Sequence, residues 1–239
     1  MIGRFHEFSV HAPDVLASIA FYERLGFSQV TTGEAWPYPY AVVTDGRLAI
    51  GLHQRELLQS PLPAFVLPDL RRQLPRIEVL GVEIVDRRLG SDVFNEASLE
   101  TPGGQVIRLL EARTFSPSPR APGEVSRLGW FEEFALPVAD VKQAERFWEK
   151  LGFAPAEEGD EPYPHVGLTS DSLNVALLQA GFLHRPALMF SDPAMSARIA
   201  ALADAGIEFA RRLPGNLDPS RHALLVGPEG TQLLLTTAE

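Results

Sequence analysis

The sequence predicts an α+β protein of four βαβββ units, arranged as two tandem halves of similar size. Three observations predict it. The segment Asp14-VLASIAFYERLGF returns as Asp140-VKQAERFWEKLGF, 140 − 14 = 126 positions later. Three further blocks recur in the same order at offsets of 125 or 126: Pro37-Tyr-Pro-Tyr40 as Pro162-Tyr-Pro-His165, Leu80-GVEI as Ala205-GIEF, and Thr101-PGGQVIRLL as Gly227-PEGTQLLLT. Internal repetition of this kind fixes architecture before local propensity does. Finally, Ala112 to Arg127 carries three prolines and three serines between two periodic regions, the composition of an extended spacer. We therefore expect a first domain over 1-112, a linker over 113-126 and a second domain over 127-239.

In the first half, Phe5 to Val10 alternates as a strand does. Asp14 is placed to cap a helix whose apolar positions Val15, Ile19, Tyr22 and Leu25 follow helical spacing. Gly26 ends it, because a helix commonly closes through a left-handed residue, and Gly152 repeats the device. Tyr40 to Thr44 and Leu48 to His53, separated by Asp45-Gly46, read as a hairpin. Pro63 to Leu67 opens the second unit. A helix follows, with Asp69 as its expected cap and its end near Gly81; Pro75 inside it is expected to bend or shorten it. Strands then follow at 82–87, 95–100 and 105–111. The second half repeats the plan with a strand at 131–136, a helix from Asp140, a hairpin over 165–179 and a strand at 186–190. Its last helix is expected over Ala194 to Ala205, capped by Asp192, with Pro193 in the first turn. A run of three strands is expected after it, so that each half is βαβββ twice.

Composition excludes several functions. There is no cysteine, which removes disulfides, thiolate metal sites and cysteine nucleophiles. A formal net charge of −10 argues against nucleic acid or an anionic membrane surface as partner, since both are bound by Lys and Arg. No apolar run nears the ~20 residues of a membrane span, and the N-terminus lacks a basic segment followed by an apolar one, so a cytoplasmic location is expected. The motifs GxSxG, GxxxxGK[ST], GxGxxG and HExxH are all missing, which weakens hydrolase, nucleotide-binding and zinc-protease readings.

The repeated βαβββ plan, the helices ending in FYERLGF and FWEKLGF, and the last strands entered through TPGGQVIRL and GPEGTQLLL resemble the vicinal oxygen chelate superfamily. That group holds glyoxalase I, the bleomycin-resistance proteins and the extradiol dioxygenases. The resemblance implies that each half curls a mixed sheet around a pocket with helices outside. It also implies where ligands of a metal would stand: Glu7, approximately His53, Leu62 or Pro63, and Arg108 in the first half. In the second they are Glu133, approximately Leu178, Arg185 or its neighbour His184, and Leu234.

A catalytic divalent site needs three donors from His, Asp and Glu with an open position. Neither set supplies them. Arg108 replaces the usual carboxylate, and its cation would oppose a divalent ion. The expectation is a small-molecule-binding protein without a metal cofactor. Its ligand-binding groups would be Glu7, Tyr40, His53 and Arg108 in the first half, and Glu133, His165 and Arg185 in the second. Glu7 and Arg108 are read either as an ion pair across the sheet or, for Arg108, as a group on the solvent face. His6, adjoining Glu7, is expected on the other face. Trp36 is placed to lid a pocket. The alternative is a metal-dependent lyase, isomerase or dioxygenase in which Glu7 and His53 hold a divalent metal. The expected partner is a small organic molecule, and the expected state a monomer or weak homodimer, because tandem copies already pair.

Overall fold

The computed structural model describes residues 2–32, 36–112, 126–159, 164–215 and 217–238. The expected linker, save Ser126, lies outside them, as do Asp160, Glu161, Pro162 and Tyr163. Two sheets organise the chain. The first holds β1 (Arg4–His11), β2 (Ser28–Val30), β3 (Tyr40–Thr44), β4 (Ala49–His53), β5 (Leu62–Leu67), β6 (Glu83–Arg88), β7 (Glu96–Glu100) and β8 (Val106–Glu111), in the order β2-β3-β4-β1-β5-β8-β7-β6. The second holds β9 (Trp130–Val138), β10 (Ala154–Gly159), β11 (His165–Thr169), β12 (Asn174–Gln179), β13 (Ala187–Ser191), β14 (Ala223–Val226) and β15 (Gln232–Thr236), ordered β10-β11-β12-β9-β13-β15-β14. The two orders match strand for strand except at one end, where β14 has no counterpart of β6 beside it. Among the described residues the fourth unit is thus βαββ, a correction to the expected βαβββ. Its matching stretch, Glu208-FARRLPG, runs into Pro214 and Gly215. Proline cannot donate to a ladder, and Gly215 sits at φ +57.

Four helices, α1 (Val15–Arg24), α2 (Leu70–Val79), α3 (Val141–Lys150) and α4 (Met195–Asp204), are each ten residues long. Asp14 and Asp140 cap α1 and α3, accepting from Ala17 N at 3.0 Å and Gln143 N at 2.9 Å. The other two caps differ from expectation. Asp69 is left-handed, at φ 55, and makes no side-chain cap bond; Glu111 at the end of β8 accepts from Leu70 N at 2.7 Å instead. Asp192 bonds Ala194 N at 2.8 Å, but α4 begins only at Met195. Pro75 does not shorten α2, whose exposed face tolerates the missing donor.

One face of each sheet joins a single hydrophobic core shared between them, in which the Phe8 and Phe134 rings lie 4.8 Å apart. The opposite, inner faces carry the candidate site residues. A bulge in β1 between Phe5 and Glu7 makes this division, because it lets Phe5 and Phe8 both turn to the shared core while Glu7 turns inward. The strand pairing slips at the same place in β9, opposite Met189 and Phe190. Among the described residues no helix is long and apolar enough to cross a membrane.

Candidate functional site

The inner face of the first sheet is polar at its centre. Register sets Glu7 of β1, Ala64 of β5 and Arg108 of β8 in one row. The third position of the expected ligand set is thus Ala64, not Leu62 or Pro63; a slip of one residue, as from Pro63, reverses the face on which a side chain stands. Glu7 is 1% exposed. Its Oε1 accepts from His53 Nε2 at 3.0 Å and from the Ser9 hydroxyl at 2.8 Å, and its Oε2 accepts from the Tyr40 hydroxyl at 2.6 Å. This crowding depends on Gly51, where a Cβ would collide with the Glu7 carboxylate; the repeat places Ala176 at the matching position. Burial alone would raise the Glu7 pKa. The hydrogen bond and charge of His53, the charge of His6 and the Tyr40 hydroxyl outweigh it and hold the carboxyl at about 2.

His53 is itself pushed down, by burial first and then by the cations of Arg108 and Arg55, with Glu7 opposing. A neutral imidazole fits its partners: Nε2 donates to Glu7, and Nδ1 accepts from the Tyr38 hydroxyl at 3.1 Å. His6 stands 3.8 Å from Glu7 Oε2 rather than on the opposite face, because the bulge breaks strict alternation. Burial, with Glu7 beside it, raises the Tyr40 hydroxyl above its usual range.

Arg108 is 3% exposed and faces inward, which settles its placement against the solvent face. It does not pair with Glu7. Its guanidinium binds Glu96 of β7, through Nε at 3.0 Å and more closely through Nη2, and Arg55 binds the same carboxylate at 3.0 and 3.2 Å. Two guanidinium groups therefore share one anion, and among the described residues Arg108 Nη1 and Arg55 Nε are buried without a hydrogen-bond partner. Trp36 lies over Arg108, with the guanidinium 4.7 Å from the ring, and is joined by Tyr38 and Phe94 at 5.7 and 4.7 Å. Sequence reasoning missed Glu96, Arg55 and Tyr38. The alternation Glu96, Ser98 against Ala97, Leu99 was a signal for Glu96; nothing local marked the other two.

The second inner face is different. Glu133 faces Met189, which in turn faces Leu234, and Leu178, Leu183 and Leu224 pack around them. Met189 stands where Arg185 was expected; Arg185 lies exposed in the turn before β13, and His184 is exposed beside it. His165 is half-buried on β11 opposite Leu178, its ring against Gly159. Among the described residues Glu133 Oε1 is buried with no hydrogen-bond partner, and burial, then the neighbouring Glu132, pushes the Glu133 pKa up to about 8.

A three-donor metal site does not fit these residues. The row in the first sheet offers a carboxylate, a methyl and a guanidinium, and both oxygens of that carboxylate are already held. The row in the second offers a carboxyl, a thioether and an aliphatic chain. Among the described residues no group of three or more His, Cys, Asp and Glu side chains is placed to hold a metal ion.

No family model matches the chain, and no curated protein does. Solved structures do. A catechol 2,3-dioxygenase aligns over 99% of this chain and 88% of its own, with TM-score 0.63 and 15% identity. An extradiol ring-cleaving dioxygenase from B. fuscum aligns over 99% and 72%, with TM-score 0.64 and 17% identity. The 2,3-dioxygenase LapB from Pseudomonas sp. KL28 aligns over 98% and 92%, with TM-score 0.64 and 13% identity. The likeness is one of fold. The chain has the α+β tandem fold of the vicinal oxygen chelate superfamily, to which these extradiol dioxygenases belong.

Proposed function

We propose that the protein binds a small polar aromatic molecule at the inner face of its first sheet, without a metal. One observation carries this reading: a buried arginine that, among the described residues, shares its one anion with a second arginine and leaves its Nη1 without an acceptor, beneath a wall of aromatic rings. Such a site accepts an oxygen on Arg108 Nη1 and a ring against Trp36, Tyr38 and Tyr40. Trp36 covers Arg108, so a ligand enters by displacing it. Tyr40, His53 and Glu7 then form a fixed hydrogen-bonded wall that orients a hydroxyl. The second inner face, apolar around Glu133, has a weaker claim.

Catechol is a suitable probe, since two structural relatives are catechol dioxygenases by name. Calorimetric titration of chelator-dialysed protein is expected to show saturable binding that quenches Trp36 fluorescence, weakened in Trp36→Ala and in Arg108→Met. Retention of near-stoichiometric iron, manganese, nickel or zinc, lost in Glu7→Gln, would replace this reading with a metal-dependent enzyme built on Glu7 and His53. Absence of catechol binding with and without metal would leave a module whose pocket its own side chains fill.

A further inference from the structure

The end of the second sheet holds a feature that the first half lacks. Where β6 pairs with β7 in the first half, the matching stretch of the second makes one backbone bond to the edge strand, from Ala210 N to Leu224 O at 2.8 Å, and then leaves the ladder. Pro214 and Gly215 turn it under the sheet. At Gly215 a Cβ would meet the Phe182 ring at 2.6 Å, so the glycine permits a close approach that fastens the turn against the inner-face cluster. A missing strand leaves space. A cavity of about 390 Å³ opens there, floored by Phe209, Leu217 and Leu224 and walled by Ile199 of α4. Its size falls in the range of sites that enclose small ligands, roughly 300 to 1,000 Å³.

Two of the cavity's polar groups are guanidinium cations. Arg211 and Arg212 stand exposed at its lining, and His222 is buried within it. None of the ion pairs among the described residues includes Arg211 or Arg212, although the chain carries 31 acidic residues against 21 Lys and Arg. Asp218, the nearby acid, turns its carboxylate to Ser220 N at 2.8 Å. An apolar cavity with two guanidinium groups at its lining that form no ion pair among the described residues selects for charge and for an apolar body together.

We propose that this cavity at the open edge of the second sheet is a binding site for a small organic anion, with its carboxylate against Arg211 and Arg212 and its apolar body against Phe209, Leu217 and Leu224. The site is separate from the inner face of the first sheet and stands or falls without it. Benzoate tests it on the full-length protein at constant ionic strength. Expected are shifts of the Leu217 and Leu224 methyl signals in carbon-resolved spectra, and an affinity that falls about tenfold or more in Arg211→Gln/Arg212→Gln. Both arginines are exposed, so the variant folds, and Arg212→Gln alone gives an intermediate loss. Benzyl alcohol, with the same ring and no charge, binds both proteins alike. Unchanged benzoate affinity in the double variant, shifts confined to residues around Trp36 and His53, or equal competition by inorganic phosphate would each overturn the assignment.

Discussion

Arg108 and Glu96 are buried together, and a charge left behind when its partner goes is costly in such a place. Glu96→Ala, which strands both guanidinium groups, is expected to lose about 3 kcal/mol or more of stability, Arg108→Ala, which leaves Arg55 on Glu96, less than that, and Arg108→Ala/Glu96→Ala less than the sum of the two single changes. Denaturant titration of the cycle measures this, and additivity would remove the pair from the argument. Glu133 gives a prediction of pH dependence. Its folded pKa of about 8 lies above its ordinary value of 4.5, so the native state keeps a proton that the unfolded chain releases between those values. Stability therefore falls as pH rises from about 4.5 to 8, by a few kcal/mol at most. Glu133→Gln is expected to flatten that fall, giving a variant more stable than the parent at pH 9. Glu7 acts in a different window: its depressed pKa stabilises the fold above pH 4.5 and loses that contribution as pH falls through about 2. A pH profile of Glu133→Gln parallel to that of the parent would contradict the burial of this carboxyl.

Elements were legible where their signals are local. The Asp14 and Asp140 caps, the Asp45-Gly46 hairpin and the paired glycines behind α1 and α3 all formed as the sequence reads, because each depends on bonds within a few residues. The start of α2 did not. Its cap comes from Glu111, 41 residues away, and the backbone at Asp69 adopts the left-handed conformation that lets the helix begin under it. Glu111→Ala is expected to destabilise the protein by about 1 kcal/mol, while Asp69→Ala, which removes no cap bond, loses less. Thermal melts separate the two, and a greater loss at Asp69 would show that the local cap dominates. The bulge between Phe5 and Glu7 also escaped alternation. That one extra residue moved His6 beside Glu7 and Phe5 into the shared core.

The whole molecule is held by contacts between the halves that neither repeat copy announces. Tyr22 and Ser18 of α1 donate to Glu229 in the second half at 2.7 and 3.0 Å, and the Arg47 guanidinium lies 3.3 Å from the centre of the Trp130 ring. With Phe8 and Phe134 in one core, the two sheets are expected to unfold together. Denaturant unfolding followed by fluorescence and far-ultraviolet circular dichroism should give one coincident transition, lowered in midpoint by Glu229→Ala. Two resolved transitions would mean that each sheet is stable alone.

Sequence by itself determined the repeat, the strand and helix order of three units, the absence of thiol chemistry, and the inward candidates Glu7, Tyr40 and His53. Those follow from periodicity, turn chemistry and composition, which are written along the chain. Only the tertiary structure decided that Arg108 pairs with Glu96 rather than Glu7, that Ala64 and Met189 stand where metal ligands were sought, and that a cavity replaces the last strand. Each of these depends on register between strands distant in sequence, where a shift of one residue exchanges the faces and one proline ends a ladder.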